Sequence, residues 1–147
     1  MIQNIKEMVV VFVFSPDGKE VMLIRKDHPE YLAGTLNGVG GKVEYGELTS
    51  QAAYRETKEE SGLGIEDLAQ YCIYWGMSGE NRPYVLHFFK SFQGFEGYES
   101  LTSEKLEIWK VSKAMLAPDA NNLPWLLPMA LDRRVGVASI KEDSSEN

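Results

Sequence analysis

Seven consecutive apolar residues, Met8 to Phe14 (MVVVFVF), set the first limit on how this chain can fold. A run so rich in valine and phenylalanine predicts a buried strand, because β-branched and aromatic side chains fit a covered, pleated surface. It is well short of the ~18 apolar residues that a membrane-spanning helix needs. Its N-terminal flank also lacks the basic-then-small layout of a signal peptide. Ser15-Pro16-Asp17-Gly18 is a turn signal and Val21 to Ile24 (VMLI) returns as a second strand, so a hairpin is expected.

Arg25 to Gly41 then reads as a loop, with Pro29 and glycines at Gly34, Gly38, Gly40 and Gly41. Thr49 or Ser50 can cap a helix whose body is Gln51 to Ser61, and Gly62 stands where a left-handed C-cap belongs. Further strands are predicted at Tyr71 to Met77, Tyr84 to Phe92 and Glu107 to Val111. A last helix is predicted at Leu123 to Arg133, with Pro124 in its first turn. Strands before, between and after two helices give an α/β (α+β) domain on a mixed sheet. With no repeat or linker in 147 residues, 1–139 are expected to form one domain and 140–147 (IKEDSSEN) a flexible polar tail.

Composition narrows the partners. A net charge of -7 argues against a broad basic surface for a nucleic acid polymer or an anionic membrane. The single cysteine, Cys72, excludes an internal disulfide framework and points to a reducing cytoplasm. His28 and His87 stand alone and supply no zinc set.

The helix at 51–61 poses an electrostatic problem. Glu56, Glu59 and Glu60 fall within about 100° of arc at 3.6 residues per turn. Like charges at such spacings cost roughly 0.2–0.5 kcal/mol per pair, and the negative end of the helix dipole adds to the cost. Arg55 and Lys58 are two cations against three carboxylates. Either solvent carries the excess or a divalent metal does, and the helix alone leaves both open. The residues before it favour the metal. Gly38-Val39-Gly40-Gly41 lets the backbone approach closely and present a carbonyl, and Glu47 adds an acid. Neither GxxxxGK[ST] nor GxGxxG occurs there.

Gly41, five residues, Glu47, seven residues, then Arg55-Glu56-Thr57-Lys58-Glu59-Glu60-Ser61-Gly62-Leu63 resembles the Nudix box, G-x5-E-x7-R-E-U-x-E-E-x-G-U with U aliphatic. Thr57 is the one departure, where an aliphatic residue is usual. The resemblance implies a mixed sheet held between helices and a Mg2+-dependent hydrolase, with Mn2+ as an alternative. Such an enzyme cuts a diphosphate bond in a nucleoside diphosphate linked to another group. Carried over by position, Glu56, Glu59 and Glu60 are the metal-binding and base-supplying carboxylates, and the Gly40 carbonyl is a further metal ligand. Arg55 and Glu47 would orient those glutamates. Some family members recruit another glutamate from a later loop; Glu99 and Glu104 are the candidates, against a simpler role as surface carboxylates.

Thr35 to Glu44 (TLNGVGGKVE) resembles the same stretch in MutT-type and oxidised purine nucleoside triphosphate diphosphatases, where the asparagine matching Asn37 contacts the base. Ala120 to Trp125 (ANNLPW) resembles a segment that there carries an acidic pair or an asparagine facing the base edge, with a tryptophan nearby. Asn121 and Asn122 are thus candidate base readers and Trp125 a pocket wall. An amide offers donor and acceptor, enough to read a purine edge with the extra N–H of an 8-oxo form. Helix-capping asparagines and a core tryptophan are the competing readings. Arg25 and Lys26 could meet the outer phosphates or be snorkelling surface cations. The expected reaction converts a nucleoside triphosphate, 8-oxo-dGTP or a related purine, to the monophosphate and pyrophosphate. ADP-ribose, a dinucleotide or another nucleoside diphosphate-X is the alternative substrate, and a non-catalytic nucleotide sensor is the third reading. The expected partner is a small nucleotide, and monomer and homodimer both stay open.

Overall fold

The apolar run becomes the middle of the sheet. In the computed structural model, which describes residues 5–79 and 81–143, the chain order is β1 (Lys6–Phe14), β2 (Glu20–Arg25), a 3-10 turn (Glu30–Leu32), β3 (Leu36–Asn37), β4 (Val39–Lys42), α1 (Thr49–Ser61), β5 (Ala69–Met77), β6 (Pro83–Ser91), β7 (Lys105–Lys110), α2 (Val111–Ala114), α3 (Leu123–Leu131) and β8 (Ala138–Lys141). β1 lies parallel to β6 along eight residue pairs, from Lys6 opposite Tyr84 to Val13 opposite Ser91. Its other edge is shared: Met8 to Val11 pair with β4, while Val13 and Phe14 pair with β2. β2 in turn pairs with β3 and with β7. The short ribbon β3–β4 therefore fills the opening where the β1–β2 hairpin splays.

Side chains of β1 alternate between two cores, which is why the run is apolar without interruption. Val9, Val11 and Val13 pack with Met22, Val39 and the alanines of α1. Val10, Phe12 and Phe14 pack with Tyr71, Phe88 and the leucines of α3. The result is a mixed eight-stranded sheet with α1 on one face and α2 and α3 on the other. Among the described residues no helix is long and apolar enough to cross a membrane.

Four local expectations are corrected. The stretch Arg25 to Gly41 contains two strands rather than loop alone, because glycine backbone pairs with β1 where side chains could not fit. A Cβ on Gly38 would sit 2.5 Å from the Val11 carbonyl oxygen. Thr49 and Ser50 lie inside α1; the N-cap is Leu48, whose N–H donates to Gln51 Oε1 at 2.9 Å. α3 ends at Leu131, two residues early. The tail does not begin at residue 140: Ile140 and Lys141 pair with Tyr74 and Trp75 in β8, and residues 144–147 lie outside the described residues. Gly62 is the left-handed C-cap that its position announces, with φ 76° and its N–H on the Lys58 carbonyl.

Candidate active site

Helix α1 lies over β1 and β4 and buries Ala52, Ala53, Thr57 and Ser61 against them. Thr57, the polar residue at an aliphatic position, is fully buried; its hydroxyl donates to the Ala53 carbonyl at 2.7 Å and leaves no unmet donor. The small buried face brings the helix close to the glycine strand, and the glutamates take up the remaining space.

Glu60 is 9% exposed and its Oε2 accepts the Gly40 N–H at 2.8 Å. Burial is the main reason its carboxyl is pushed up to about 7; Glu56 and Glu104 raise it further, while Gly40 and Lys26 oppose them. The Glu56 carboxylate stands where Gly41 has no side chain: a Cβ there would lie 2.5 Å from Glu56 Oε1. Burial raises its pKa as well, against the pull of Arg55. Glu59 is the most exposed of the three.

Arg55 holds the set together. Its Nε and Nη2 donate to the two oxygens of Glu47 at 2.8 and 3.0 Å, a bidentate pair. Nη2 also reaches the Lys42 carbonyl at 2.9 Å, and Nη1 donates to Glu56 at 2.9 Å and Glu59 at 3.2 Å. Arg55 beside it, together with the Glu44 N–H, holds the Glu47 carboxyl down at about 2. A lysine offers one point charge in place of this fork. Arg55→Lys is expected to lower stability by about 1–3 kcal/mol in urea unfolding at pH 7. An unchanged midpoint would show that the fork does not hold β4 to α1.

A second approach comes from beyond α1. The Glu99 and Leu101 N–H groups donate to the Ser61 and Glu60 carbonyls, so the segment 99–101 satisfies the open end of the helix. Glu99 itself is exposed. Glu104, five residues further on, is only 3% exposed and close enough to raise the Glu60 pKa. It is therefore no surface carboxylate. Lys26 Nζ donates to its Oε1 at 3.0 Å, and the Asp27 N–H donates to Oε2 at 2.8 Å. Asp27, His28 and Glu104 bring three ligand atoms within 4.8 Å of one another, and hydrogen bonds among these groups already serve them.

The remaining predicted residues divide. Lys26 reaches the site through Glu104. Arg25 does not: it forms a two-bond pair with Glu107 at 2.9 Å, an ion pair with Asp119 and a bond to the Gly34 carbonyl. Those contacts pin β2 to β7 and to the segment before α3. Asn37 lies in β3 opposite Ile24, half-buried, with Oδ1 on the Gly38 N–H at 2.9 Å. Asn121 and Asn122 are both exposed; Asn121 adopts φ 53°, and Asn122 is the N-cap of α3, bonded through its carbonyl. Trp125 is half-buried and stacks on Tyr74. The Asp119 carbonyl, 3.0 Å from the Leu36 N–H, moors this segment beside β3. Asp119 is the residue that the sequence pattern passed over; its acid one place after Pro118 was the available signal.

Carboxylates at Glu56, Glu59 and Glu60 beside a glycine backbone form an all-oxygen donor set that suits a hard divalent cation. The structure supports that fit: a buried Glu60 next to Glu56 carries an unfavourable charge that a cation would remove.

A family model, the NUDIX domain, matches residues 5–127. An oxidized purine nucleoside triphosphate hydrolase of Danio rerio is 37% identical over 87 residues, which cover 58% of this chain and 54% of that protein. The match thus spans about half the length of that relative. The NUDIX domain of Shewanella oneidensis NrtR, solved with ADP ribose, superposes with a TM-score of 0.76 at 15% identity, covering 91% of each chain. The mutator MutT protein of Bacillus halodurans gives 0.71 at 21% identity, covering 95% of this chain and 92% of its own. These two likenesses concern the fold.

Proposed function

The chain belongs to the NUDIX domain family, and we propose that it is a hydrolase converting a purine nucleoside triphosphate, 8-oxo-dGTP or a close relative, to the monophosphate and pyrophosphate. The observation that carries this is the placement of Glu60 and Glu56 against the Gly40–Gly41 backbone, with Arg55 bonded to Glu47, Glu56 and Glu59. Glu56, Glu59, Glu60 and the Gly40 carbonyl would hold the metal, with Mg2+ the cation expected and Mn2+ the alternative. When bound, it neutralises phosphate charge and lowers the pKa of a water.

The protein's own part is positional and acid–base. Arg55 keeps Glu56 and Glu59 aimed at a common point, and one of these two accepts the proton of the attacking water. The water oxygen forms the new bond to phosphorus, the bridging P–O bond breaks in line, and pyrophosphate leaves with the electron pair. Lys26, held by Glu104 near Glu60, would meet phosphate oxygens. Arg25 has no part in this reading, since its donors are engaged. Asn37 remains the candidate for the purine edge; the exposed Asn121 and Asn122 lie on the segment moored beside β3, and Trp125 offers a ring.

The relative named for oxidized purine triphosphates supports this substrate class. The likeness to a domain solved with ADP ribose keeps nucleoside diphosphate-X compounds as the second reading. Comparing kcat/KM for dGTP, 8-oxo-dGTP and ADP-ribose with Mg2+, with products identified, decides between them. Pyrophosphate release from 8-oxo-dGTP as the fastest reaction supports the proposal. Preferential cleavage of ADP-ribose would replace it with the second reading, and no turnover of any of them would remove the enzyme reading.

A further inference from the structure

The sheet face that carries α3 continues past that helix as a row of rings. Trp125 stacks on Tyr74 of β5, with centroids 6.0 Å apart and planes at 27°. Tyr74 in turn stacks on Tyr84 of β6 at 6.4 Å and 24°. Tyr84 stands opposite Gly76 in the β5–β6 pair, and its ring occupies the space where a Cβ on Gly76 would have to be. An isolated glycine within a strand marks such a close approach.

The row is closed by the chain's last described segment. Glu142 follows β8, and its N–H donates to the Trp75 carbonyl at 2.8 Å. Its Oε2 accepts from the Tyr74 hydroxyl at 2.8 Å and from the Tyr84 hydroxyl at 3.1 Å. One carboxylate oxygen thus ties two rings from different strands. Burial, then the bond to Glu142, pushes both phenols up to about 12, so both remain donors across the neutral range.

Register leads this row along the α3 face to β4, whose Gly40 N–H meets Glu60 on the opposite, α1 side of the sheet. Tyr74, Leu86, Met8 and Lys42 lie at one level across four strands; Cys72, Phe88, Val10 and Gly40 lie at the next. At about 4.8 Å per strand, Tyr74 stands roughly 14 Å from the backbone of β4, the reach of a nucleotide with its phosphates. Leu86 and Met8, both half-buried, lie between.

We propose that Glu142 is a positioning residue for nucleobase binding: its carboxylate holds Tyr74 and Tyr84 in the ring row against which the purine stacks. The proposal rests on the nucleotide reading above. Two phenols at an open sheet end would otherwise lose side-chain freedom each time a base bound, and Glu142 removes that cost in advance. A ring contact is worth roughly 0.5–1.5 kcal/mol, or about two- to tenfold in affinity.

The test compares Glu142→Ala and Glu142→Gln by steady-state kinetics on the best purine substrate of the wild type, with melting temperatures alongside. Glu142→Ala is expected to raise KM about fivefold with kcat within about twofold. Glu142→Gln is expected to restore KM, because its amide oxygen accepts the same two hydroxyl bonds. A wild-type KM in Glu142→Ala, a Glu142→Gln variant as impaired as the alanine, or a kcat that falls with stability would each overturn the positioning role while leaving the enzyme reading intact. A wild type that turns over no purine nucleotide, and whose tryptophan emission is unmoved by a non-hydrolysable purine triphosphate with Mg2+, would overturn both.

Discussion

Glu60→Gln is expected to lower kcat/KM by about a thousandfold or more in the presence of Mg2+, while making the metal-free protein more stable above pH 7. The two effects have opposite signs for one reason. Glu60 is 9% exposed, beside Glu56 and Glu104, and its carboxyl is pushed up to about 7 in the fold from an ordinary value of 4.5. A group that holds its proton more tightly when folded contributes stability that is whole below about pH 4.5 and is lost as the pH climbs through about 7. The ionised, metal-free state therefore carries a penalty of a few kcal/mol, in order of magnitude, that a neutral amide avoids. With a chelator present, the melting temperatures of the variant and the wild type should lie close together near pH 5 and separate towards pH 8. Parallel profiles would remove the burial account of Glu60, and retained Mg2+-dependent activity would remove Glu60 from the site. A divalent cation should raise the wild-type melting temperature more than that of the variant, as binding to the native state alone requires.

Gly40→Ala has the other large effect, and it falls on the fold. A Cβ on Gly40 would overlap the Val9 carbonyl oxygen and lie 2.8 Å from its carbon. Those atoms are backbone of the central strand, so no rotamer relieves the overlap, and β4 would have to leave β1. A loss of about 4 kcal/mol or more is expected, a large part of what a domain of this size possesses. Soluble yield and urea midpoint report it; a variant with the wild-type midpoint would show that β4 can shift without cost. Gly41 is the informative contrast. The atoms nearest its Cβ would be the end of the Glu56 side chain, at 2.5 Å, rather than backbone.

The sequence revealed most where side chains carry the pattern. Met8 to Phe14 announces a strand because both of its faces are covered, and the spacing from Gly41 to Glu60 announces the glutamate cluster. Elements built of backbone were hidden. β3 is only two residues long, and β4 contains Gly40 and Gly41, whose value lies in having no side chain, so nothing alternates for a reader to detect. β8 was hidden because half of it faces solvent and its polar continuation resembles a tail. The burial of Glu104 was illegible because it depends on Lys26 and the Asp27 N–H, partners 78 and 77 residues away in sequence. Arg25 looked available for phosphate because its partners, Glu107 and Asp119, lie 82 and 94 residues further along. Charged residues announce their type in a sequence, while their availability is settled only by long-range pairing.

The ribbon β3–β4 acts as a ruler. It carries Asn37, the candidate for the purine edge, and Gly40, whose N–H meets Glu60, on one uninterrupted piece of chain. Three residues of extended backbone measure about 10 Å, and pairing to β2 at one end and β1 at the other fixes both ends of that span. The interval between Asn37 and the glutamate cluster is thus written in main chain. On the proposed function, point substitutions around it would change which base is preferred. A change in the length of substrate accepted would require adding or removing a residue between Asn37 and Gly40, where the sheet leaves no slack.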